Sequence, residues 1–224
     1  MTNRLQVAII DYGIGNLFSI ERACEYVGLS PVKTADISVI MDSDAIILPG
    51  VGAFGDAVNS LKRLGLVTPI KEFIGNGKPF MGICLGMQLL MTESEEFGNH
   101  KGLNIIEGSV KRFPVKDSGE TVKVPQIGWN QISRPYFAED NYWDNSPLKD
   151  IQNGEFMYFV HSYYPIPVNT EMVLSTTDYE NTEYCSSIFW KNIFATQFHP
   201  EKSASEGIKV YKDWTSIIKN WGDI

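Results

Sequence analysis

The stretch Phe80-Met-Gly-Ile-Cys84-Leu-Gly-Met-Gln88 joins a strand to a helix through a single cysteine. Its first four residues are an apolar run typical of a buried strand, and helical spacing begins at Leu85. The pattern Gly-x-Cys-x-Gly is the cysteine version of the Gly-x-Ser-x-Gly nucleophile elbow. Such a strained turn lifts the side chain above the carboxyl edge of the sheet, and the N-terminus of the following helix favours a thiolate. The stretch therefore predicts a nucleophilic Cys84, with a buried core cysteine as the alternative.

The strand-turn-helix unit also occurs twice before this stretch. Leu5–Ile10 and Ala45–Leu48 are apolar runs, each followed by a glycine-bearing turn and a helical pattern. In the first unit, Asn16 can cap the helix and Gly28 can end it. This alternation predicts a parallel sheet with helices on its faces.

The second half of the chain has shorter apolar runs. Five of them predict antiparallel additions to the sheet, namely 105–113, 121–132, 156–160, 172–177 and 184–190. Residues 134–155 lack periodicity and predict a long surface loop, and Ser203 with Glu206 predicts a capping box that opens a C-terminal helix. Because no repeat or linker is visible, we expect one α/β domain over residues 1–224. Its sheet should be mixed, mostly parallel and flanked by helices.

The composition narrows the class of protein. The 224 residues include 19 Lys+Arg and 27 Asp+Glu, which gives a net charge of −8. This balance argues against general nucleic-acid binding, which needs a basic footprint, and against anchoring to anionic lipid. No apolar run is long enough to predict a membrane span, and residues 1–10 fit a strand better than a signal peptide.

The cysteines point to a reducing compartment. There are three of them, Cys24, Cys84 and Cys185, and no Cys-x-x-Cys pair. A disulfide framework is therefore not expected. We predict a cytoplasmic protein in which Cys24 and Cys185 are structural.

The segment Gly50-Val-Gly-Ala-Phe-Gly55 matches the dinucleotide-binding pattern Gly-x-Gly-x-x-Gly after a strand. A dinucleotide site also needs an acidic residue at the end of a second strand about 20 residues on. Glu72 has that spacing, but it lies in a helical pattern. We therefore interpret these glycines as a source of unusual backbone angles and bare N–H groups near a ligand.

A nucleophilic cysteine needs a base, and the chain offers three histidines. His100 lies in a polar loop and is expected to be solvated, whereas His161 ends a strand and fits either a site or a structural role. His199 follows an apolar run in His199-Pro-Glu201. In an extended chain, residues two apart point the same way, so Glu201 can accept a hydrogen bond from His199 and fix its tautomer.

These motifs together resemble the class I, or triad, glutamine amidotransferases. Within that class the chain is similar to the glutaminase subunits of imidazole glycerol phosphate synthase, and the similarity covers essentially the whole sequence. The motifs that carry it are the elbow, Asp11-Tyr-Gly-Ile-Gly-Asn16, Pro49-Gly-Val-Gly-Ala-Phe54, Pro125-Gln-Ile-Gly-Trp-Asn130, Phe159-Val-His-Ser-Tyr163 and His199-Pro-Glu-Lys-Ser203. Residues 134–155 depart from it, being longer and more aromatic than the family pattern.

The resemblance implies hydrolysis of glutamine to glutamate and ammonia in histidine biosynthesis, without a cofactor or metal. Cys84 would be the nucleophile, His199 the acid and base, and Glu201 the residue that orients His199. The oxyanion hole would use the N–H groups of Gly52 and Leu85. The glutamine-binding residues would be Gln88, Glu96, Ser162 and Tyr163. For Gln88 the alternative is an exposed helix glutamine, and for Glu96 it is a solvated run with Glu93 and Glu95.

The resemblance also implies a heterodimer. Its partner would be a cyclase built as a (β/α)8 barrel, which consumes the ammonia. Asn16, Trp129 and Lys202 fall in motifs that would face this partner or the ammonia path, with a core position as the alternative for Trp129.

Three other functions remain open at this point. The first is a paralogous amidotransferase that supplies ammonia for the modification of surface sugars. The second is a cysteine peptidase-like hydrolase on a similar sheet. The third is a binding-only scaffold, which the intact Cys, His and Glu set disfavours.

Overall fold

The computed structural model describes residues 4–114 and 123–221. The strands are β1 Gln6–Ile10, β2 Ser30–Thr34, β3 Ala45–Leu48, β4 Phe80–Ile83, β5 Glu93–Ser94, β6 His100–Lys101, β7 Gly108–Arg112, β8 Gln126–Ile132, β9 Glu155–His161, β10 Tyr163–Pro167, β11 Val173–Tyr179, β12 Thr182–Trp190 and β13 Ile193–Thr196. The helices are α1 Leu17–Tyr26, α2 Ile37–Asp42, α3 Phe54–Arg63, α4 Val67–Gly75, α5 Leu85–Leu89 and α6 Ala204–Lys219. Two 3₁₀ turns lie at Thr170–Met172 and Pro200–Lys202.

The main sheet has seven strands in the order β11-β12-β13-β4-β3-β1-β2. Strands β13, β4, β3, β1 and β2 are parallel to their neighbours in this series, whereas β11 and β12 run antiparallel at one edge. The predicted fold class, an α/β domain with a mixed and mostly parallel sheet, is confirmed. The strand β4 that leads to Cys84 is central, between β3 and β13.

Each face of the main sheet carries its own hydrophobic core. Alternate residues of β1, β3 and β4 point to opposite faces, because side chains along a strand alternate. One set packs on α3 and α4 through residues such as Phe54, Leu61 and Phe73. The other set packs on α1 and α6 through residues such as Cys24, Tyr211 and Trp214. The two covered faces leave the carboxyl edge of the parallel strands as the place for a site.

The predicted strands of the second half divide among three sheets. The runs 172–177 and 184–190 correspond to β11 and β12 and are the antiparallel additions that we expected. The run 105–113 yields β7, which forms a four-stranded sheet in the order β10-β7-β5-β6, and β8 and β9 pair with each other alone. Residues 121 and 122, the start of a fourth predicted run, lie outside the described residues. The prediction that the runs 105–113, 121–132 and 156–160 add to the main sheet is therefore wrong. Their strands pair in separate sheets, and a local pattern does not encode a partner that is distant in the chain.

Helix α1 ends as predicted, but the prediction for its start is wrong. Gly28 has φ +87°, its N–H donates to the Glu25 carbonyl, and the Leu29 N–H donates to the Cys24 carbonyl, which together close the helix end. At the other end, the Asn16 side chain makes no capping bond and its amide donates to the Ser19 hydroxyl at 3.0 Å. The predicted Asn16 cap is therefore wrong.

The predicted capping box at Ser203 is also wrong. Ser203 does precede α6, but its side chain caps no N–H of that helix. The hydroxyl instead donates to the His199 carbonyl at 2.7 Å and accepts from the Tyr158 N–H at 3.0 Å. These two hydrogen bonds replace the predicted capping bond, and they tie the His199 backbone to β9.

Residues 134–155 form a series of turns that is anchored into the core instead of lying free on the surface. The Trp143 side chain is 2% exposed, and its indole N–H donates to the Leu174 carbonyl at 2.7 Å. Leu148 is fully buried, and the Asp150 N–H donates to the Asp213 carboxylate of α6. The lack of periodicity was a sound reason to expect no helix or strand, but it carried no information about burial.

Helix α6 reaches the 3₁₀ turn of the His-Pro-Glu segment through a glycine. A β-carbon added at Gly207 would overlap the Pro200 carbonyl, whereas one added at Gly75, in α4, would meet no atom within 4 Å. We expect Gly207→Ala to lower the free energy of unfolding by about 2 kcal/mol or more, because the helix must move away from the turn. Gly75→Ala should change it by no more than about 1 kcal/mol, in the stabilising direction. Urea unfolding of both variants checks this, and equal effects would contradict it.

Candidate active site

Cys84 occupies a strained turn between β4 and α5. Its backbone has φ +54° and ψ −108°, angles that a residue with a side chain rarely adopts. Neighbouring glycines make the turn possible, because a β-carbon at Gly86 would overlap the Leu48 carbonyl and one at Gly82 would come within 3.1 Å of Gly86. The Cys84 N–H donates to the Thr196 carbonyl at 2.7 Å, which holds the turn against the end of β13.

His199 and Glu201 form a buried pair beside Cys84. The His199 Nδ1 lies 2.8 Å from a Glu201 carboxylate oxygen, and both side chains are excluded from solvent. Because Nδ1 donates to Glu201, Nε2 is the ring nitrogen that remains for Cys84. The second Glu201 oxygen and His199 Nε2 are buried without another hydrogen-bond partner.

The charge on His199 is favoured by its two neighbours. Burial by itself disfavours the imidazolium, but interactions with Cys84 and with Glu201 outweigh it and raise the pKa of His199 to about 10. His199 is therefore protonated at neutral pH. An imidazolium paired with a thiolate is the resting state that nucleophilic cysteine chemistry requires.

A cavity of about 300 Å³ opens above Cys84. It brings together most of the residues that the sequence predicted for the site. Its lining consists of Val51, Gly52, Cys84, Leu85, Gln88, Glu96, Val160, His161, Ser162, Tyr163 and Lys202. His199 and Glu201 lie behind Cys84, out of contact with solvent.

The three glycines of the misleading dinucleotide pattern have three separate causes. A β-carbon at Gly50 would lie 2.7 Å from the Leu85 β-carbon, and one at Gly55 would lie 2.6 Å from the His100 ring. Gly52 has ample space but φ +88°, so its requirement is conformational. Gly52 and Leu85, the first residue of α5, both line the cavity, and a first helical residue has no intrahelical acceptor for its N–H.

Gln88 is 4% exposed, so the alternative of a solvated helix residue is wrong. Its side-chain amide donates to the Tyr163 carbonyl at 2.7 Å and to the Gln197 side-chain oxygen at 2.9 Å. The Gln197 amide in turn donates to the Cys84 sulfur at 3.6 Å. Gln197 was missed in the sequence, where it is the fifth residue of an apolar run and nothing distinguishes it.

The acidic run around Glu96 splits into two kinds of residue. Glu93 and Glu95 form exposed ion pairs with Lys101 and Lys111. Glu96 is half-buried at the cavity wall, where one carboxylate oxygen accepts the Phe54 N–H at 2.7 Å. Burial raises the pKa of Glu96, although the Phe54 bond opposes that rise.

The other two histidines have structural contacts. His161 lines the cavity and is buried, with Nδ1 2.9 Å from the Tyr163 carbonyl and Nε2 3.2 Å from the Tyr184 hydroxyl. Burial lowers the pKa of His161 to about 3, so it stays neutral. His100 is not free in solvent as predicted, because its half-buried ring packs on α3 at Gly55.

Of the three residues predicted to face a partner, Lys202 lines the cavity, whereas Trp129 and Asn16 do not. Trp129 on β8 is 50% exposed, so the alternative of a core tryptophan is wrong. Its ring meets Tyr158 edge-on, and the Lys202 ammonium lies 5.8 Å from the Tyr158 ring centre on the other side. Asn16 stands apart, at the turn between β1 and α1.

Outside the cavity, the described residues provide no second reactive thiol and no metal-binding cluster. Cys24 and Cys185 are buried, and burial raises the pKa of both thiols, which keeps them protonated. Residues 4–114 and 123–221 contain no group of three or more His, Cys, Asp or Glu side chains that could hold a metal ion. No helix in the same residues is long and apolar enough to cross a membrane.

Residues 8–215 match the family model of glutamine amidotransferase class-I. The chain belongs to this family. Among curated proteins, it is 47% identical to the imidazole glycerol phosphate synthase subunit HisH of Syntrophotalea carbinolica, over 97% of this chain and 100% of the relative. It is 46% identical to HisH of Geobacter sulfurreducens, over 98% and 99%. Membership of the HisH family, and with it a glutamine amidotransferase enzyme, is therefore confirmed.

Solved structures of lower identity share the fold. PurLQS from Thermotoga maritima matches with a TM-score of 0.69 at 19% identity, over 96% of this chain and 99% of that one. The glutaminase domain of CTPS from Trypanosoma brucei, solved with bound acivicin, matches with a TM-score of 0.64 at 16% identity, over 96% and 94%. These likenesses support the α/β architecture described above.

The buried neutral His161 should make the fold sensitive to acid. The unfolded chain takes up a proton near the ordinary histidine pKa of about 6.5, whereas folded His161 does so only near 3, so stability falls as the pH drops between these values. In His161→Gln this loss is absent. We expect wild type to lose roughly 1 kcal/mol per pH unit more than the variant below about pH 6. Urea unfolding at pH 7 and pH 4.5 measures it, and parallel pH slopes would contradict it.

Proposed function

We propose that this chain hydrolyses glutamine to glutamate and ammonia through Cys84, His199 and Glu201. The observation that carries the proposal is the buried His199–Glu201 pair behind a cysteine held at φ +54° on the floor of a cavity. A strained nucleophile, a base and a residue that orients the base are the parts of a catalytic triad. The family to which the chain belongs supports the same reaction.

The first half of the reaction forms a thioester. The Cys84 thiolate attacks the carbon of the glutamine side-chain amide, whose oxygen becomes an oxyanion. The carbon–nitrogen bond then breaks, and protonated His199 gives its Nε2 proton to the departing ammonia. The raised pKa of His199 supports this step, since the proton is present at neutral pH.

The second half releases glutamate. His199 has become neutral, and it takes a proton from a water molecule that attacks the thioester carbon. The carbon–sulfur bond breaks, the thiolate re-forms, and the imidazolium is restored. Glu201 stabilises the imidazolium throughout through its 2.8 Å contact with Nδ1.

The cavity walls fit the remaining groups of the substrate. The N–H groups of Gly52 and Leu85 are the proposed oxyanion donors, because both backbones line the cavity with Cys84. Glu96 supplies a negative charge for the ammonium of glutamine. Ser162 and Tyr163 lie at the wall where its carboxylate would bind. Gln88 fixes the Tyr163 carbonyl and thereby that wall.

We further propose that the ammonia passes to a (β/α)8-barrel cyclase subunit in histidine biosynthesis. The relatives named HisH at 41–47% identity support this role. The half-exposed Trp129 and the Lys202–Tyr158 contact form a partly apolar, cationic surface beside the cavity, which suits a protein partner. A paralogous enzyme of sugar modification is the alternative recipient, and the chain that co-purifies from the source cell separates the two.

Changes to the triad should affect turnover in a defined order. We expect Cys84→Ala to abolish glutamine hydrolysis, and Glu201→Gln to lower kcat by on the order of 10²- to 10⁴-fold, because His199 loses its orientation and its counter-charge. Ammonia release, coupled to glutamate dehydrogenase and measured with the partner present, provides the rate. Cys185→Ala is the matched control and should keep its activity. Full turnover by Cys84→Ala would overturn the mechanism.

Binding of the partner should control activity. We expect the isolated chain to be nearly inactive, and a barrel cyclase with its ligand to raise kcat by at least about tenfold, because the Gly52 loop can then present its N–H to the oxyanion. Trp129→Ala should weaken complex formation roughly tenfold or more. Tyr26→Ala, a more exposed aromatic at the C-terminal end of α1, is the control. Titration calorimetry measures the affinity, and high activity of the chain alone would contradict the coupling.

A further inference from the structure

Gln197 is a fully buried amide in direct contact with the Cys84 sulfur. It directly follows β13, and its own N–H donates to the Ser186 carbonyl of β12 at 2.8 Å. The preceding residue, Thr196, accepts the Cys84 N–H. The backbones of Gln197 and of the nucleophile are therefore fixed to each other by the sheet, and the side-chain contact does not depend on a loop.

The orientation of the Gln197 amide follows from its neighbours. The Tyr163 carbonyl can only accept a hydrogen bond, so the Gln88 group that faces it must be the NH₂. That same NH₂ faces Gln197, which must therefore present its oxygen to Gln88. The NH₂ of Gln197 is left to point at the Cys84 sulfur, at 3.6 Å. Reversing Gln197 would set two NH₂ groups against each other and an oxygen against the sulfur. Reversing Gln88 would set its oxygen against the Tyr163 carbonyl and the Gln197 oxygen.

We propose that Gln197 is a catalytic residue that stabilises the Cys84 thiolate through an N–H···S⁻ hydrogen bond. The inference rests on the proposed function, since it takes Cys84 as the nucleophile. A hydrogen bond to a charged acceptor is stronger than one to a neutral acceptor, so the bond favours the thiolate over the thiol. The same bond holds the sulfur toward the end of β13, which limits the directions from which it can attack.

The same chain of bonds joins the nucleophile to the substrate wall. The Tyr163 carbonyl accepts from both Gln88 and His161, and Tyr163 lines the glutamine cavity. A shift of this strand on substrate binding reaches the sulfur through two hydrogen bonds, 2.7 and 2.9 Å long, and the 3.6 Å contact. Gln197 therefore links occupation of the cavity to the position of the thiolate.

The other ionisable groups around Cys84 bear on how the pH profile of its alkylation is interpreted. Burial raises the pKa values of Tyr12 and Tyr184 well above their ordinary range, and burial keeps His161 neutral. Interactions with Cys84 and Glu201 outweigh burial and raise the pKa of His199 to about 10, and Glu96 and Lys202 line the cavity. Because Gln197 itself has no charge, Gln197→Leu removes the hydrogen bond to the sulfur without adding or removing a titrating group.

The test is the pH profile of alkylation by iodoacetamide, read at Cys84 by peptide mass in the intact chain. We expect Gln197→Leu to raise the pH of half-maximal alkylation by about one unit, the scale of one charge-assisted hydrogen bond. With the partner present, kcat should fall roughly ten- to a hundredfold with little change in KM. Gln197→Glu keeps the shape and the acceptor for Gln88 but sets a carboxyl oxygen at the sulfur. It should raise the midpoint further.

Asn192→Leu is the matched control for lost packing. Asn192 is a buried amide at the other end of β13, where it donates to the Ile74 and Lys78 carbonyls. We expect this variant to lose stability and keep the wild-type alkylation profile. A shift in Asn192→Leu as large as in the Gln197 variants would overturn the proposal, as would wild-type profiles in Gln197→Leu and Gln197→Glu.

Two further measurements distinguish a variant that does not fold, a failure of the proposed function and a failure of the inference about Gln197. If circular dichroism shows that Gln197→Leu does not fold, the isosteric Gln197→Glu decides alone. If Cys84→Ala keeps glutaminase activity, the proposed function fails at Cys84 itself. If Cys84 is the reactive thiol but its alkylation profile is unchanged in the Gln197 variants, only the inference about Gln197 fails.

Discussion

The close approach of Gly86 to the Leu48 carbonyl governs the geometry around Cys84. Helix α5 can start directly above the central strands because residue 86 has no side chain, and this start forces Cys84 into its left-handed backbone angle. A larger residue at 86 would push the helix away and relax the turn. The strain is sustained because β3, β4 and β13 hold the turn from both sides. Cys84, Leu85 and Gln88 all lie in or directly after the turn that this contact shapes.

Burial then sorts the ionisable groups of the site into two sets. His161, Tyr12 and Tyr184 are buried without an opposite charge, and desolvation keeps them neutral. His199 is buried as well, but two partners of opposite charge reverse the effect of desolvation. The same low-dielectric environment therefore produces one charged imidazole and one neutral imidazole within a single pocket. The charged imidazole is the one that the proposed mechanism uses.

The sequence was most informative where local pattern and geometry coincide. The parallel strands, the elbow at Cys84 and the His199–Glu201 pair each follow from spacing over a few residues, and the fold confirms the strands. Ser203 is a counterexample, because hydrogen bonds with His199 and Tyr158 take the place of its predicted capping bond. The Glu96 bond to Phe54 spans 42 residues and the Gln88 bond to Gln197 spans 109. No local periodicity encodes either bond, so only the fold could reveal them.

Gln197 illustrates why a buried polar residue can be hidden by its own surroundings. It sits within an apolar run because β13 is a central strand, covered on both faces. An amide there would cost free energy unless every polar atom had a partner, and Gln88 and Cys84 supply those partners. An apolar residue of similar size would fill the space without that requirement. The amide therefore makes physical sense only as a donor to the sulfur, since that is the one bond that packing alone would not need.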